Sequence, residues 1–288
     1  MSLDAIMTPM IDAMVAKKPN ESTAKNENVK NALPHLSHPP LPYEHSWRYS
    51  PPYYTALSLL FATLFFYQPH EWRVAIWRTL RSAIEDERTF LLFAAVLTHS
   101  LVFLLSNGVM GIIYYLHLPF FEQFKIQSNE WPWRRSAKER QQYFQLIRKS
   151  LLLLAFNQYI LSPTLFFFSY KDQKRFGMSA DIDTVPHWYI TLIHIAISMV
   201  VEDTMFYWCH RALHHPKIYG YIHKVHHQYK TSIGIASEYA HPIEFLFSNA
   251  LPFSVGPMLC GMHYYLFLMW SILRVGETVD GHCGYEFP

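Results

Sequence analysis

Charged side chains are scarce in this sequence. Asp, Glu, Lys and Arg make up 16% of its 288 residues, against about 25% in a typical soluble domain. The charge present is nearly balanced, 24 Lys and Arg against 22 Asp and Glu. The field needed to hold a nucleic-acid backbone is therefore missing, and no nucleic-acid partner is expected. Cysteine is equally sparse. Cys209, Cys260 and Cys283 are too few and odd in number for a disulfide framework, which excludes a small stapled secreted fold. No charged start followed by an apolar run opens the chain, so a cleavable signal peptide is not expected. Internal repeats and low-complexity tracts are absent as well.

Apolar and aromatic residues are abundant, at 51% and 17%, which excludes disorder for most of the length. They are segregated into blocks. Tyr53 to Tyr67, Thr89 to Leu118, Leu151 to Tyr170 and Phe245 to Leu273 carry no charge at all. A fifth block runs from His187 through Glu202 and Asp203 to Cys209. About 20 apolar residues span the hydrocarbon of a bilayer, and five such blocks exceed what a soluble core would hold. The expected fold is all-α: a polytopic membrane helical bundle with a cytosolic histidine-rich cap that holds metal.

The expected organisation follows from these blocks. Residues 1–48 form a polar tail, 49–118 membrane helices, and 119–150 a basic cytosolic or interfacial segment. Residues 151–209 are further membrane helices, 210–242 the histidine-rich cytosolic region, and 243–288 a membrane hairpin with a truncated catalytic C-terminus. The 119–150 segment carries seven Lys or Arg against three Glu, which places it on the cytosolic side and suits a helix lying at the interface. Pro252, Gly256-Pro257 and Gly261 divide the last block into halves of about a dozen residues, each about 18 Å long. A hairpin of such halves returns His282 to the face that carries His210.

Histidine is the outlier, with 17 residues, 11 of them between His187 and His282. His210 and His214 are four apart, adjacent on one helix face. His223, His226 and His227 follow with spacings of three and four, so five imidazoles can converge on one site. Asp203 lies two turns before His210, and an ionisable residue within a spanning helix needs a partner. Either it receives a ligand histidine's second N–H, or it pairs with Arg211 or Arg175. No cysteine pair suits a thiolate zinc site. Imidazole accepts Fe, Zn, Cu or Ni, so the donor type alone leaves the metal open. Neutral ligands leave a bound metal strongly electrophilic, which suits O2 activation and attack on an unactivated C–H bond. The neighbouring apolar helices suggest a lipid-like substrate.

At these residues the sequence resembles the fatty acid hydroxylase/sterol desaturase superfamily of membrane di-iron enzymes, and within it the C-4 methylsterol monooxygenases. The resemblance rests on Glu202-Asp203, His210-Arg211-x-x-His214-His215, His223-Lys224-x-His226-His227, Glu238-Tyr239-Ala240-His241-Pro242-Ile243-Glu244, Gly256-Pro257 and His282-x-Gly284-Tyr285-Glu286-Phe287-Pro288. It implies an endoplasmic-reticulum enzyme of sterol biosynthesis that oxidises a 4α-methyl group to alcohol, aldehyde and acid with O2. Electrons would come from NAD(P)H through cytochrome b5 or its reductase, and a sterol C-4 decarboxylase and a ketoreductase would be partners.

Carried over by position, His210, His214, His223, His226, His227 and His282 are expected ligands of two iron ions. His215 and His241 are further ligands or lie just behind them. Asp203 orients a ligand, Glu238 and Tyr239 shape the sterol pocket, and His263 is structural or substrate-side. The family pattern continues to a third box, H-x2-H-H, beyond Pro288. Two metals take roughly eight to ten ligands when each is four- or five-coordinate. A chain ending at Pro288 is thus expected to be an incomplete product or to lack a full di-iron centre. The competing expectation is a non-catalytic homologue that binds sterol or scaffolds the demethylation complex. A metal transporter is disfavoured, because transport sites lie near the bilayer midplane and these boxes flank a helix end.

Overall fold

The computed structural model describes residues 52–127 and 129–287; the expected 1–48 tail lies outside them. Seven principal helices follow one another: α1 (Pro52–Phe66), α2 (His70–Arg81), α3 (Glu87–Leu116), α4 (Ala137–Arg175), α5 (Trp188–Leu213), α6 (residues 242–259) and α7 (Tyr264–His282). No strand forms among the described residues. The chain is an all-α membrane bundle.

Three helices, α3, α4 and α5, are long and apolar enough to cross a membrane. Little of their apolar length is covered by protein: 17% of the most apolar stretch of α3 is buried. Leu101, Leu104, Leu105, Val109 and Ile112 of α3 face outward. Water does not tolerate so continuous an apolar face, whereas hydrocarbon does, because a helix satisfies its own backbone groups.

Local chemistry sets the helix ends. Asp86 starts α3 by accepting a hydrogen bond from the Thr89 amide at 2.7 Å, satisfying an N–H that has no partner within the helix. Ser136 and Glu139 start α4 with reciprocal side-chain-to-backbone bonds, a capping box. From there α4 runs 39 residues without a stop. The part of the basic segment from Ala137 onward and the following apolar block are therefore one continuous helix. No proline or glycine stands between Ser136 and Pro163 to break the helix. Where Pro163 lacks the amide that would continue the ladder, the helix widens into a π turn at Asn157–Leu161. Trp131 and Trp133, ahead of this rod, are buried and stacked with ring centres 5.0 Å apart.

The last apolar block does form a hairpin, with arms longer than a dozen residues. α6 absorbs Pro252 in a second π turn, Phe245–Ala250, and continues through Pro257. The chain reverses only at Gly261, whose φ of +55° suits a residue without Cβ. At 1.5 Å per residue the 19 residues of α7 rise about 28 Å, so the hairpin traverses the bundle. Its turn packs on the loop after α4, with the Tyr264 amide donating to the Ser179 carbonyl at 2.9 Å. Gly256 permits the closest crossing: a Cβ there would lie 2.6 Å from the Ser198 Cα of α5.

Successive long helices alternate in direction, so both histidine boxes and the end of α7 share one end of the bundle. Tyr114 donates to the Cys283 carbonyl at 2.7 Å, and Tyr143 to the Thr231 carbonyl at 3.0 Å. These bonds tie the ends of α3, α4 and α7 around the loop that carries the second box. At the opposite end, Trp77 of α2 is fully buried and donates to the Ala180 carbonyl at 2.8 Å.

Candidate metal centre

His210 lies in the last turn of α5 and His214 caps its C-terminus, one above the other as their spacing requires. A short reversal, including the helical turn Pro216–Tyr219, brings His223–Gln228 back across them as a 3-10 helix. His214 Nε2 then lies 3.2 Å from His210 Nε2 and 3.2 Å from His223 Nε2, and His227 Nε2 lies 3.0 Å from His223 Nε2. One nitrogen from each of the four falls within 4.8 Å of every other. In a tetrahedral imidazole site with metal–nitrogen bonds of about 2.1 Å, the nitrogens stand roughly 3.4 Å apart. Four nitrogens held this close, with no carboxylate among them, fit a first-row metal cation.

The second box does not act as a unit. A 3-10 helix winds more tightly than an α-helix, and it divides the expected five-imidazole cluster. His227 joins the quartet, whereas His226 faces His282 with ring centres 5.5 Å apart. His226 Nδ1–H donates to the Tyr239 carbonyl at 3.3 Å, and His282 Nδ1–H donates to the Thr278 carbonyl at 2.8 Å. With Nδ1 committed, Nε2 is the nitrogen each has left to bind a metal, and both side chains line one cavity together with His210.

Burial disfavours the protonated forms of His223 and His226. His223 is pushed down to about 3 by its burial and by the imidazoles of His210, His227, His226 and His214. His226 is lowered to about 4 by burial and by His282. A neutral imidazole is the form that binds metal.

The carboxylate behind the quartet is Glu244. Its Oε1 accepts from His223 Nδ1 at 2.7 Å, fixing the tautomer that points Nε2 into the cluster. Asp203 stands elsewhere: its Oδ1 lies 3.5 Å from Arg274 Nη2, and its side chain is largely exposed. Seven residues separate Asp203 from His210, about 10 Å along the helix axis, too far for a hydrogen bond between them. Neither Arg211 nor Arg175 is its partner; Arg274 of α7 is. The same Arg274 forms an ion pair with the partly buried Glu202, its Nε standing 2.6 Å from Oε2.

Several other expected site residues lie apart from the four nitrogens. His215 Nδ1 accepts from the Lys217 amide at 3.3 Å, and His241 Nδ1 from the Ile243 amide at 3.2 Å, so the first caps the short turn Pro216–Tyr219 and the second caps α6. His263 is at the opposite end, bonded to the Tyr265 amide and the Asp181 carbonyl. Tyr239 is fully buried; its hydroxyl donates to Gln228, and its carbonyl holds His226. Glu238, its neighbour, lines the cavity and accepts from His99 Nε2 at 2.6 Å.

His99 and Arg274 had no role assigned from the sequence, and Glu244 entered only as the last residue of the motif that begins at Glu238. Each is an ionisable group inside or beside an uncharged block, and that isolation was the available signal. The cavity has a volume of about 630 Å³. It runs from His210, His226 and His282 past Glu238 into a stretch walled by Val96, Leu165, Phe166 and Met258.

An all-α membrane bundle with a histidine quartet at one helix end defines a class, and residues 195–288 match the family model for Fatty acid hydroxylase. Residues 195–288 thus carry the domain that this family model describes. Among curated relatives it is 36% identical to methylsterol monooxygenase 1 of Danio rerio over 196 residues, 68% of this chain and 63% of that protein. It is 35% identical to very-long-chain aldehyde decarbonylase GL1-8 of Oryza sativa subsp. indica over 192 residues, 67% of this chain and 66% of that protein. Fatty acid hydroxylase domain-containing protein 2 of Homo sapiens is 34% identical over 218 residues, 74% of this chain and 62% of that protein. The chain thus spans slightly under two thirds of the length of these relatives. No solved structure matches it.

Proposed function

We propose that this chain is a C-4 methylsterol monooxygenase, oxidising the 4α-methyl group of a sterol intermediate with O2 at a histidine-bound di-iron centre. The observation that carries this reading is the continuity of one cavity from the imidazoles of His210, His226 and His282 into an apolar interior. A largely hydrocarbon substrate with one oxidisable end against the metal suits that shape. The relatives named methylsterol monooxygenase support a sterol substrate, and those named very-long-chain aldehyde decarbonylase, similar to the same degree, make a long-chain aldehyde the alternative.

His210, His214, His223 and His227 would hold one iron, and His226 with His282 would contribute to a second. Iron bound there would supply O2 activation and oxidation of an unactivated C–H bond. Glu244 keeps His223 in the binding tautomer, and the backbone carbonyls of Tyr239 and Thr278 do the same for His226 and His282. Val96, Leu165, Phe166 and Met258 exclude water from the hydrocarbon part of the substrate. The electrons would come from NAD(P)H through cytochrome b5 or its reductase, with a sterol C-4 decarboxylase and a ketoreductase acting on the product.

We place the protein in the endoplasmic-reticulum membrane with the histidine end toward the cytosol. Lys138, Arg140, Arg148 and Lys149 at that end of α4 support the orientation.

The test is oxidation by iron-loaded membranes supplied with cytochrome b5, its reductase and NAD(P)H. A 4,4-dimethylsterol and a very-long-chain aldehyde are offered in parallel. Oxidation of the sterol methyl group is expected. Consumption of the aldehyde with the sterol unchanged would overturn the substrate assignment. Sterol binding without turnover of either would favour a non-catalytic sterol-binding homologue.

A further inference from the structure

Of the acidic groups that line the cavity, Glu244 is bonded to His223, Glu202 and Glu277 pair with Arg274 and Asp172 with Arg175, whereas Glu238 is held by a histidine of α3. Glu238 lies in the 3-10 turn Gly234–Glu238, and His99 lies in the middle of α3. Both line the cavity. His99 Nε2 stands 2.6 Å from Glu238 Oε1, and the two side chains are 16% and 10% exposed. His99 is one of two histidines in the 30 uncharged residues Thr89 to Leu118, a costly placement for an ionisable ring. Its ring also stacks on Phe103, with planes 13° apart, which fixes the direction of its N–H.

That N–H occupies one carboxylate oxygen. The second, Glu238 Oε2, has no protein hydrogen bond among the described residues. A carboxylate accepts hydrogen bonds and donates none. A free carboxylate oxygen beside a cavity with apolar walls therefore selects for a ligand group that carries a donor hydrogen, and it repels a carbonyl oxygen. Position adds to this. The Glu238 side chain is one residue from the Tyr239 carbonyl that anchors His226, so a group bound to it sits close to the imidazole end.

We propose that Glu238, oriented by His99, accepts a hydrogen bond from a substrate hydroxyl and thereby sets which end of a lipid alcohol faces the histidines. This rests on reading the cavity as the lipid site, and it deepens the proposed function. In a 4-methylsterol the ring hydroxyl sits on the carbon next to the one bearing the oxidised methyl group. Fixing that hydroxyl therefore fixes the methyl group. His99 is a positioning residue, since it acts through Glu238.

The experiment measures binding, so turnover is not needed. The full chain in lipid nanodiscs is titrated with two matched pairs. The first pair is a 4,4-dimethylsterol and its ring-ketone counterpart; the second is a long-chain secondary alcohol and its methyl ketone. The expected result is that the wild-type chain binds the alcohol about 10- to 100-fold more tightly than the ketone, the range for a hydrogen bond to a charged group. Glu238→Gln keeps an oxygen for His99 and turns an amide N–H2 toward the ligand. It is expected to bring the alcohol-to-ketone ratio within about threefold while helicity and thermal midpoint stay near wild type, because a hydrogen bond to a charged group is replaced by one that serves either oxygen.

Discrimination in the long-chain pair with no binding of either sterol would retain the anchor and overturn the sterol reading. Equal binding of alcohol and ketone in both pairs would overturn the anchor. So would a preference that survives unchanged in Glu238→Gln, since a purely structural pair would leave ligand discrimination untouched.

Discussion

Glu244 accepts a hydrogen bond from His223 Nδ1 at 2.7 Å, and both side chains are almost fully buried. His223 in turn is the imidazole in closest contact with the rest of the quartet, 3.2 Å from His214 and 3.0 Å from His227. One carboxylate on α6 thus sets the direction of a ligand that arrives from the loop after α5.

Glu244→Gln should weaken metal retention about 10- to 100-fold, the usual effect of losing the group behind a ligand histidine. Iron remaining after dialysis against a graded chelator series measures it, with helicity monitored by circular dichroism. Retention equal to wild type would show that His223 holds its tautomer without the carboxylate.

The histidines divide into binding and capping groups, and alanine substitutions should separate them. His214→Ala or His227→Ala removes a quartet nitrogen and should abolish stoichiometric metal. His215→Ala and His241→Ala should keep it and cost about 1 kcal/mol of stability, as the loss of a helix cap does. Metal content by mass spectrometry and thermal midpoints in detergent give the two readouts. Loss of metal in His215→Ala would place that residue among the ligands.

Arg274 compensates two carboxylates of α5. Its substitution by Met should leave the partly buried Glu202 beside Asp203 with no cation and lower stability by about 1–3 kcal/mol, less than a fully buried pair would lose. Adding Glu202→Gln to Arg274→Met should recover part of the loss, because the uncompensated charge is then gone. Chemical denaturation of the two variants in the same detergent measures the difference; equal stability would mean that the pair contributes nothing.

Gly256→Ala should separate α5 from α6, since the added Cβ would meet the Ser198 backbone at 2.6 Å. A thermal midpoint lowered by an overpacking cost of about 1–3 kcal/mol is expected. Gly276→Ala meets nothing within 4 Å and should be neutral or stabilising by up to about 1 kcal/mol through helix propensity. If both variants behave alike, close approach is not what selects glycine at position 256.

Much of the architecture was legible from the distribution of charge. Uncharged blocks of 20 to 30 residues have few outcomes other than membrane helices, and the spacing of His210 and His214 fixes their common face. The helix boundaries were less legible. Pro252 and Pro257 read as breaks, yet a π turn absorbs the first and α6 continues through the second, because a helix loses one hydrogen bond at each proline and packing on α5 holds the rest. The basic segment read as a separate interfacial helix, but nothing in its sequence ended it before the apolar block began.

The sequence by itself determined an all-α membrane protein with two histidine boxes at one end, since charge exclusion and helical spacing are local properties of the chain. The tertiary structure decided which histidines meet. The 3-10 winding of residues 223–228 sends His226 toward His282 and His227 toward the quartet, a choice that depends on where α7 ends. It also decided which carboxylate stands behind His223. Asp203 has the right chemistry but sits about 10 Å along the helix from its nearest box histidine, whereas Glu244 is brought into contact by the hairpin, a relation between distant segments that no spacing encodes.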